Sequence, residues 1–376
     1  MRILIAPQEF KGTLTARAAA EAIARGLRRA LPEAELDLLP MADGGPGTLD
    51  ALVAATGGRV IETEVRGPLG APVRARWGAL GDGKTAVVEM AEASGLVLVP
   101  EAERDPRRAT TFGTGELLRA ALDTGYRRII VGVGGSATND GGAGLARALG
   151  VRLLDGEGVE LPPGGAALAR LARIDASPLD PRLAESEIVI AADVTNPLYG
   201  PDGTSLLYGA QKGAGDAVAR ELDAALAHFA DVVKRDLGLD LADVPGSGAA
   251  GGLAYGLLVF CGATLRPGFD VVAEATDFGG RLARADLVIT GEGRLDRQTA
   301  FGKTAAGVAR AARAARKPVV AIAGSVVDGA ENEATLSFDE VFALTPDLAP
   351  AEEAFARAEE VLARAGEAVG RWWRAR

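Results

Sequence analysis

The sequence predicts an α/β protein built on parallel sheets, and three observations carry that expectation. Short runs of consecutive Val and Ile suit strands buried on both faces of a parallel sheet. These runs alternate with segments of helical periodicity. Glycine is abundant, at 50 of 376 residues, and it gathers in the loops that follow the apolar runs.

The elements follow in order. Ile3–Ala6 reads as a strand, and Thr15–Leu31 reads as a helix that Thr13 or Thr15 can cap. Further strands are expected at Glu35–Leu39, Arg59–Val65, Arg128–Gly132, Glu187–Ala191, Asp286–Thr290, Pro318–Ala323 and Glu340–Leu344. Helices are expected at Gly115–Thr124, Ala143–Gly150, Ala217–Arg235, Thr304–Arg316 and Ala351–Arg374. One region breaks the alternation. Pro72–Leu80 and Thr85–Ala91 flank Gly81-Asp82-Gly83-Lys84, which makes a β-hairpin. A hairpin so placed marks the start of an inserted domain. The expected organisation is a Rossmann-like or flavodoxin-like domain, residues 1–68 plus 283–376, interrupted by a second α/β domain, residues 69–282.

Composition narrows the chemistry. There is one Cys and one His, so a disulfide, a multi-Cys zinc site and a two-His metal site are all excluded within the chain. His228 is expected to face solvent, about 120° from the apolar stripe Leu222, Leu226, Phe229 and Val233. Cys261 reads as a small buried hydrophobe. Trp372-Trp373 anchors the last helix, or alternatively forms a homodimer contact. The net charge of -10 argues against nucleic acid and anionic membranes. No apolar run approaches a membrane span, and Met1–Pro7 reads as a strand rather than a signal peptide, so a cytoplasmic location is expected. Scarce Asn, Gln, Cys and Met fit either a thermophile or a GC-rich genome.

One motif is a decoy. Gly78–Thr85 matches the P-loop pattern letter for letter, but the residues after it, Ala86-Val87-Val88-Glu89, form a strand. A phosphate loop must open a helix for its amides to face the phosphates. The dinucleotide fingerprint GxGxxG is also missing after any strand.

The loops beyond the strand carboxyl ends, where α/β sheets bind ligands, are rich in Lys, carboxylates, hydroxyls and glycine. They include Lys11-Gly12-Thr13, Asp43-Gly44-Gly45, Gly134–Gly142, Asp193–Asn196 and Gly291–Thr299. Such a set suits phosphoryl transfer, which needs positioning and charge neutralisation and requires neither His nor Cys. A carboxylate can take the proton of the attacking hydroxyl, others can hold Mg²⁺, and Lys with loop amides can stabilise phosphates.

These segments resemble the bacterial type I glycerate kinases (glycerate 2-kinases) along nearly the whole chain. The motifs are Ala6-Pro7-x-x-Phe10-Lys11-Gly12-Thr13-Leu14, Ala42-Asp43-Gly44-Gly45-x-Gly47-Thr48, Ala109–Glu116 and Gly134–Gly142. Asp193–Leu198, Gln211–Ala214, Gly248–Gly252 and Ile289–Lys303 complete them in order. The resemblance implies ATP- and Mg²⁺-dependent phosphorylation of D-glycerate, usually at the 2-hydroxyl, in a cleft between two α/β domains. Phosphorylation at the 3-hydroxyl is the alternative product. A nucleotide-using oxidoreductase and a non-catalytic small-molecule binder are the alternatives of other classes.

With the resemblance, the loop residues take expected roles. Lys11 contacts the glycerate carboxylate or the transferring phosphate, and Asp43 a hydroxyl or the metal. Asp193 and Asp296 are catalytic base and Mg²⁺ ligand, in either order, with Glu292 as a further metal ligand. Gly134, Gly135, Ser136, Asn139, Gly291 and Gly293 bind nucleotide phosphates, and Asp140 helps to hold metal or nucleotide. Gly44, Gly45 and Asn196 line the substrate. Three motifs depart from the family pattern: Gln8-Glu9 replaces Asp-Ser, Pro46 replaces Glu, and Ala192 replaces Cys. The first two bear on the choice of acceptor.

Overall fold

A computed structural model describes residues 1–295, 304–327 and 337–376. Its strands are β1 (Arg2–Pro7), β2 (Glu35–Leu38), β3 (Arg59–Arg66), β4 (Pro72–Ala79), β5 (Thr85–Glu89), β6 (Arg128–Gly132) and β7 (Arg152–Leu154), followed by β8 (Arg173–Asp175), β9 (Glu187–Ala191), β10 (Thr264–Arg266), β11 (Leu287–Leu295), β12 (Val319–Val326) and β13 (Glu340–Thr345). They divide between two compact units, residues 1–43, 50–57 and 267–376 in the first and 44–49 and 58–266 in the second.

The first unit holds a parallel sheet in the order β13-β12-β11-β1-β2. Its central strands are apolar on both faces, as Ile3, Leu4, Ile5, Val288 and Ile289 show by their complete burial. The chain leaves β1 toward β2 on one side, and β11 leads to β12 and β13 on the other. The β1–β11 boundary is therefore a topological switch point, where the loops beyond the two strands diverge and leave room for a ligand. The helix Ala16–Ala30 begins at Thr15, whose Oγ1 accepts from the Ala18 amide at 3.2 Å. It lies against the helix Ala358–Arg374 at backbone distance. A Cβ on Gly26 would stand 1.9 Å from the Ala363 carbonyl oxygen, and one on Gly366 would stand 2.4 Å from that of Ile23. The C-terminal pair ends this packing: Trp372 meets Phe342 of β13 edge to face.

The second unit holds a mixed sheet, β10-β9-β6-β5-β4-β3, in which β5, β6, β9 and β10 run parallel and β3, β4 and β5 form an antiparallel meander. The expected hairpin is β4–β5. At its turn Asp82 accepts from the amides of Lys84 and Thr85, each at 2.9 Å, and Lys84 is exposed. The P-loop pattern is thus a tight turn.

Several expectations need correction. The boundary expected at residue 68 falls at 57, because β3 pairs with β4 along its whole length. The return expected at 283 falls at 267, since the helices Gly268–Ala275 and Phe278–Arg284 belong to the first unit. A Cβ on Gly268 would stand 1.8 Å from the Asp43 carbonyl oxygen, and Arg281 pairs with Asp37 at 2.6 Å. The strand expected to end at Thr290 continues to Leu295, paired with β12 through Val326. His228 does not face solvent. It is half-buried, and its Nε2 donates to the Leu171 carbonyl at 2.7 Å, because the segment around residues 165–171 packs over that helix. Cys261 is buried, which pushes its thiol up to about 12 and leaves it no thiolate at neutral pH. No described helix is long and apolar enough to cross a membrane.

The helix contact at Gly26 makes a test. Gly26→Val is expected to destabilise the first unit by about 3 kcal/mol, the upper range for overpacking, because backbone must move. Gly279→Ala, on an exposed helical site with nothing within 4 Å of a new Cβ, is expected to be neutral or slightly stabilising. Scanning calorimetry of the two variants checks both.

Candidate active site

In the first unit, the segment after β1 turns back on itself. The Thr13 and Leu14 amides donate to the Phe10 carbonyl, and Gly12 takes φ +81° to close the turn. Lys11 is exposed on this turn. The turn is held against β11 across the switch point: the Gln8 amide donates to the Gly291 carbonyl at 2.8 Å, and a Cβ on Gly293 would lie 3.2 Å from the Lys11 nitrogen. Lys11, Gly291 and Gly293 therefore meet, but the two glycines do so as strand residues. Glu292, between them, is 7% exposed.

Asp43 enters the same neighbourhood from the segment after β2. Gln8 Nε2 donates to its carboxylate at 2.7 Å. Gln8, a departure from the family pattern, thus orients Asp43. The neighbouring Glu9 is half-buried, and its carboxyl is raised above the usual range by burial and then by Asp43, against a lowering by Lys11.

In the second unit, residues 44–47 pack on the loop after β6 by backbone against backbone. The Gly134 amide donates to the Gly44 carbonyl at 3.1 Å, and a Cβ on Gly134 would stand 2.5 Å from the Gly45 Cα. Gly44 itself admits no side chain, since its Cβ would fall 2.1 Å from the Ala191 carbonyl oxygen. Glu89, at the end of β5 and 4% exposed, accepts from the amides of Gly47 and Leu49, at 3.1 Å each for its Oε2. It caps the start of the helix Thr48–Thr56.

The loop after β6 is pinned by Asp140. This fully buried carboxylate accepts from Thr111 N at 2.8 Å, Thr111 Oγ1 at 3.0 Å, Thr110 Oγ1 at 3.3 Å, and the Gly142 and Gly144 amides at 3.1 Å each. Burial still holds its carboxyl above the ordinary range, against the effect of those donors. The expectation that Asp140 holds metal or nucleotide is corrected, because its acceptor capacity is spent within the protein. Asn139, also fully buried, donates from Nδ2 to Ser205 Oγ at 2.8 Å.

The same loop leaves donors uncommitted. Among the described residues, the amides of Gly135, Ser136, Thr138, Asn139 and Asp140 donate to no protein acceptor. Ser136, Thr138, Asn139 and Asp140 are buried, and a run of such amides is suited to accepting an anion.

Asp193 lies exposed two residues beyond β9. Asn196 is turned inward, its Nδ2 donating to the Pro197 carbonyl at 3.2 Å and its own carbonyl accepting from Gly248. Asp296, together with Gln298, Thr299, Gly302 and Lys303, lies outside the described residues. Two buried residues have no role in the sequence reading: Glu89, and Lys212, which enters only within the motif Gln211–Ala214. Their signal was a charged residue in an otherwise apolar strand end and a lysine inside a glycine-flanked turn.

Parallel sheets whose carboxyl ends carry backbone amides, a lysine and carboxylates suit a phosphoryl-transfer enzyme. The chain belongs to the glycerate kinase family, whose model matches residues 3–374. It is 52% identical to the glycerate kinase of Bacillus subtilis over 355 residues, covering 94% of this chain and 93% of that protein. It is 48% identical to the glycerate 2-kinase of Escherichia coli over 355 residues, with the same 94% and 93% coverage. A crystal structure of a glycerate kinase 2 from Salmonella typhimurium matches with a TM-score of 0.89 at 46% identity, covering 100% of this chain and 98% of that one.

The buried carboxylate yields a prediction. Asp140→Asn turns an amide group toward donors that need an acceptor, so it is expected to cost about 3 kcal/mol or more. Urea titration of the folded protein checks this.

Proposed function

We propose that this protein transfers the γ-phosphate of ATP to D-glycerate, at the 2-hydroxyl, giving 2-phosphoglycerate and ADP. One observation carries the reading: the kinship with glycerate kinases runs over residues 3–374 and takes in every loop described above. The Escherichia coli relative, a glycerate 2-kinase, favours the 2-hydroxyl.

The roles follow from the chemistry of each loop. In the first unit, Lys11 binds the glycerate carboxylate or the phosphate in transfer, because it is an exposed cation on a turn fixed against β11. Asp43, oriented by Gln8, accepts a glycerate hydroxyl. Glu9 holds its proton to higher pH than an ordinary Glu, because burial and then Asp43 oppose its charge. In the second unit, the free amides of the loop after β6 take phosphate oxygens, with Gly134 and Gly135 allowing close approach and Ser136 adding a hydroxyl. Gly44, Gly45 and Asn196 shape the acceptor's surroundings. Asp193 takes the proton of the attacking hydroxyl.

The donor set suits Mg²⁺. Glu292, buried within β11, offers hard carboxylate oxygens, which suit an ion held by one or two carboxylates and the substrate's own phosphates. In the first unit Glu292, with Asp296, would hold it. When bound, Mg²⁺ neutralises charge on the phosphate oxygens.

Purified protein with D-glycerate, ATP and Mg²⁺ is expected to release ADP. An enolase-coupled assay should respond without added mutase; a response only with mutase would move the product to 3-phosphoglycerate. No ADP with either glycerate enantiomer would overturn the reading. Asp193→Asn is expected to lower kcat at least about 10²-fold with melting unchanged, and a near-normal rate would remove it from the site. Lys84→Ala should leave kcat and the KM for ATP as they are, because Lys84 sits on a hairpin turn.

A further inference from the structure

Lys212 lies in the turn Ala210–Lys212, closed by Gly213 at φ +95°. Its side chain is 2% exposed, and Nζ donates to the Thr138 carbonyl at 2.7 Å. Among the described residues that is its one hydrogen-bond acceptor. An ammonium carries three donors and is costly to bury without an anion. Asp140 is the ionisable group that acts on it, yet that carboxylate is already spent on Thr110, Thr111, Gly142 and Gly144. Arg104 touches the turn through its backbone, at Gly213. The positive charge of Lys212 is therefore under-compensated, and burial brings its pKa down to about 7. A methionine would fill the space at less cost.

The far side of the Thr138 carbonyl explains a lysine here. The same peptide group carries the Asn139 amide, which has no acceptor among the described residues. A cation at the carbonyl oxygen draws charge through the peptide and makes its N–H a stronger donor. The peptide is also clamped from another direction. A Cβ on Gly251 would stand 2.0 Å from the Thr138 oxygen and 2.7 Å from the Asn139 Cα, so only glycine fits.

We propose that Lys212 is a positioning residue for phosphoryl transfer: by holding the Thr138 carbonyl it aims the Asn139 amide at a nucleotide phosphate and lends that phosphate its unspent charge. This rests on the loop after β6 being the phosphate loop. A phosphate bound there stabilises the ammonium, so nucleotide binding is linked to protonation. With its pKa brought down to about 7, Lys212 is largely neutral at pH 8 before a phosphate binds. Binding should therefore take up protons at pH 8.

The test compares wild type with Lys212→Met and Lys212→Arg. Calorimetry of ADP binding at pH 8, in two buffers of different ionisation enthalpy, counts protons. Wild type should take up at least about half a proton more than either variant. In turnover, Lys212→Met should lose about 10²-fold in kcat/KM for ATP, with the KM for glycerate moving less than about threefold. Lys212→Arg, charged at every pH, should recover at least a tenth of the loss. A Lys212→Met protein that melts normally and keeps kcat/KM for ATP within twofold overturns the proposal. Should both variants fail to fold, wild-type uptake below about 0.2 proton overturns it instead. A wild type that binds ADP with proton uptake but never phosphorylates glycerate refutes the function and leaves Lys212 standing.

Discussion

A single buried carboxylate organises the second unit. Asp140 accepts from the residues that open the helix Phe112–Asp123 and from those that open the helix Ala143–Ala148. The two helix starts are thereby tied to one point, and the loop between β6 and the second helix has its course fixed by that tie. The contact demands small neighbours. A Cβ on Gly144 would stand 2.2 Å from Thr110 Oγ1, and one on Gly115 would stand 2.7 Å from the Leu145 carbonyl oxygen. Two motifs far apart in sequence, Ala109–Glu116 and Gly134–Gly142, are in this sense one structural object. A carboxylate buried so completely persists only because backbone amides and hydroxyls replace the water it has lost.

The glycines take on a different meaning in this light. From sequence, their clustering in strand-end loops suggests backbone wrapped around phosphates. In the structure most of them make room for other backbone. Gly44 faces the Ala191 carbonyl, Gly134 faces Gly45, and Gly248 and Gly251 face Pro197 and Thr138. Loop stacked on loop at this distance is rigid, since no side chain can rearrange to relieve a displacement. Rigidity is what transfer chemistry asks of its amides, which must be in place before charge develops.

The legible parts of the fold are those whose signal is local. β1, β6, β9 and the buried part of β11 show as runs of Ile, Leu and Val, and the β4–β5 turn shows as Asp-Gly. β3 belongs with the second unit rather than the first, because strand identity is local while strand pairing is not. Its alternation of Ile61, Thr63 and Val65 with Glu62, Glu64 and Arg66 is the mark of a half-exposed antiparallel strand. β7, β8 and β10, of three residues each, are too short to give a pattern. The helix Ala249–Cys261 is apolar on all sides and so has no periodicity to read. The site shows the same division. The loops were visible as motifs, but the commitment of Asp140 depends on Thr110 and Thr111, and the burial of Lys212 on a carbonyl 74 positions away. His228 looked solvent-facing because its own helix says nothing of the chain that packs across it.

The acidity of the protein can now be divided by task. Asp140 and Glu89 are buried carboxyl groups that accept from loop amides, at Gly142 and Gly144 in one case and at Gly47 and Leu49 in the other. These carboxylates occupy donors that would otherwise attract phosphate. What they leave is selective: amides within residues 135–140, with Lys212 of the turn Ala210–Lys212 bonded to the Thr138 carbonyl behind them. On the proposed reading, a phosphate in this unit would meet a restricted set of donors rather than a diffuse field of them. The net charge of -10 is compatible with that reading, since part of the negative charge lies buried beside the loop after β6, paired with the donors it would otherwise leave open.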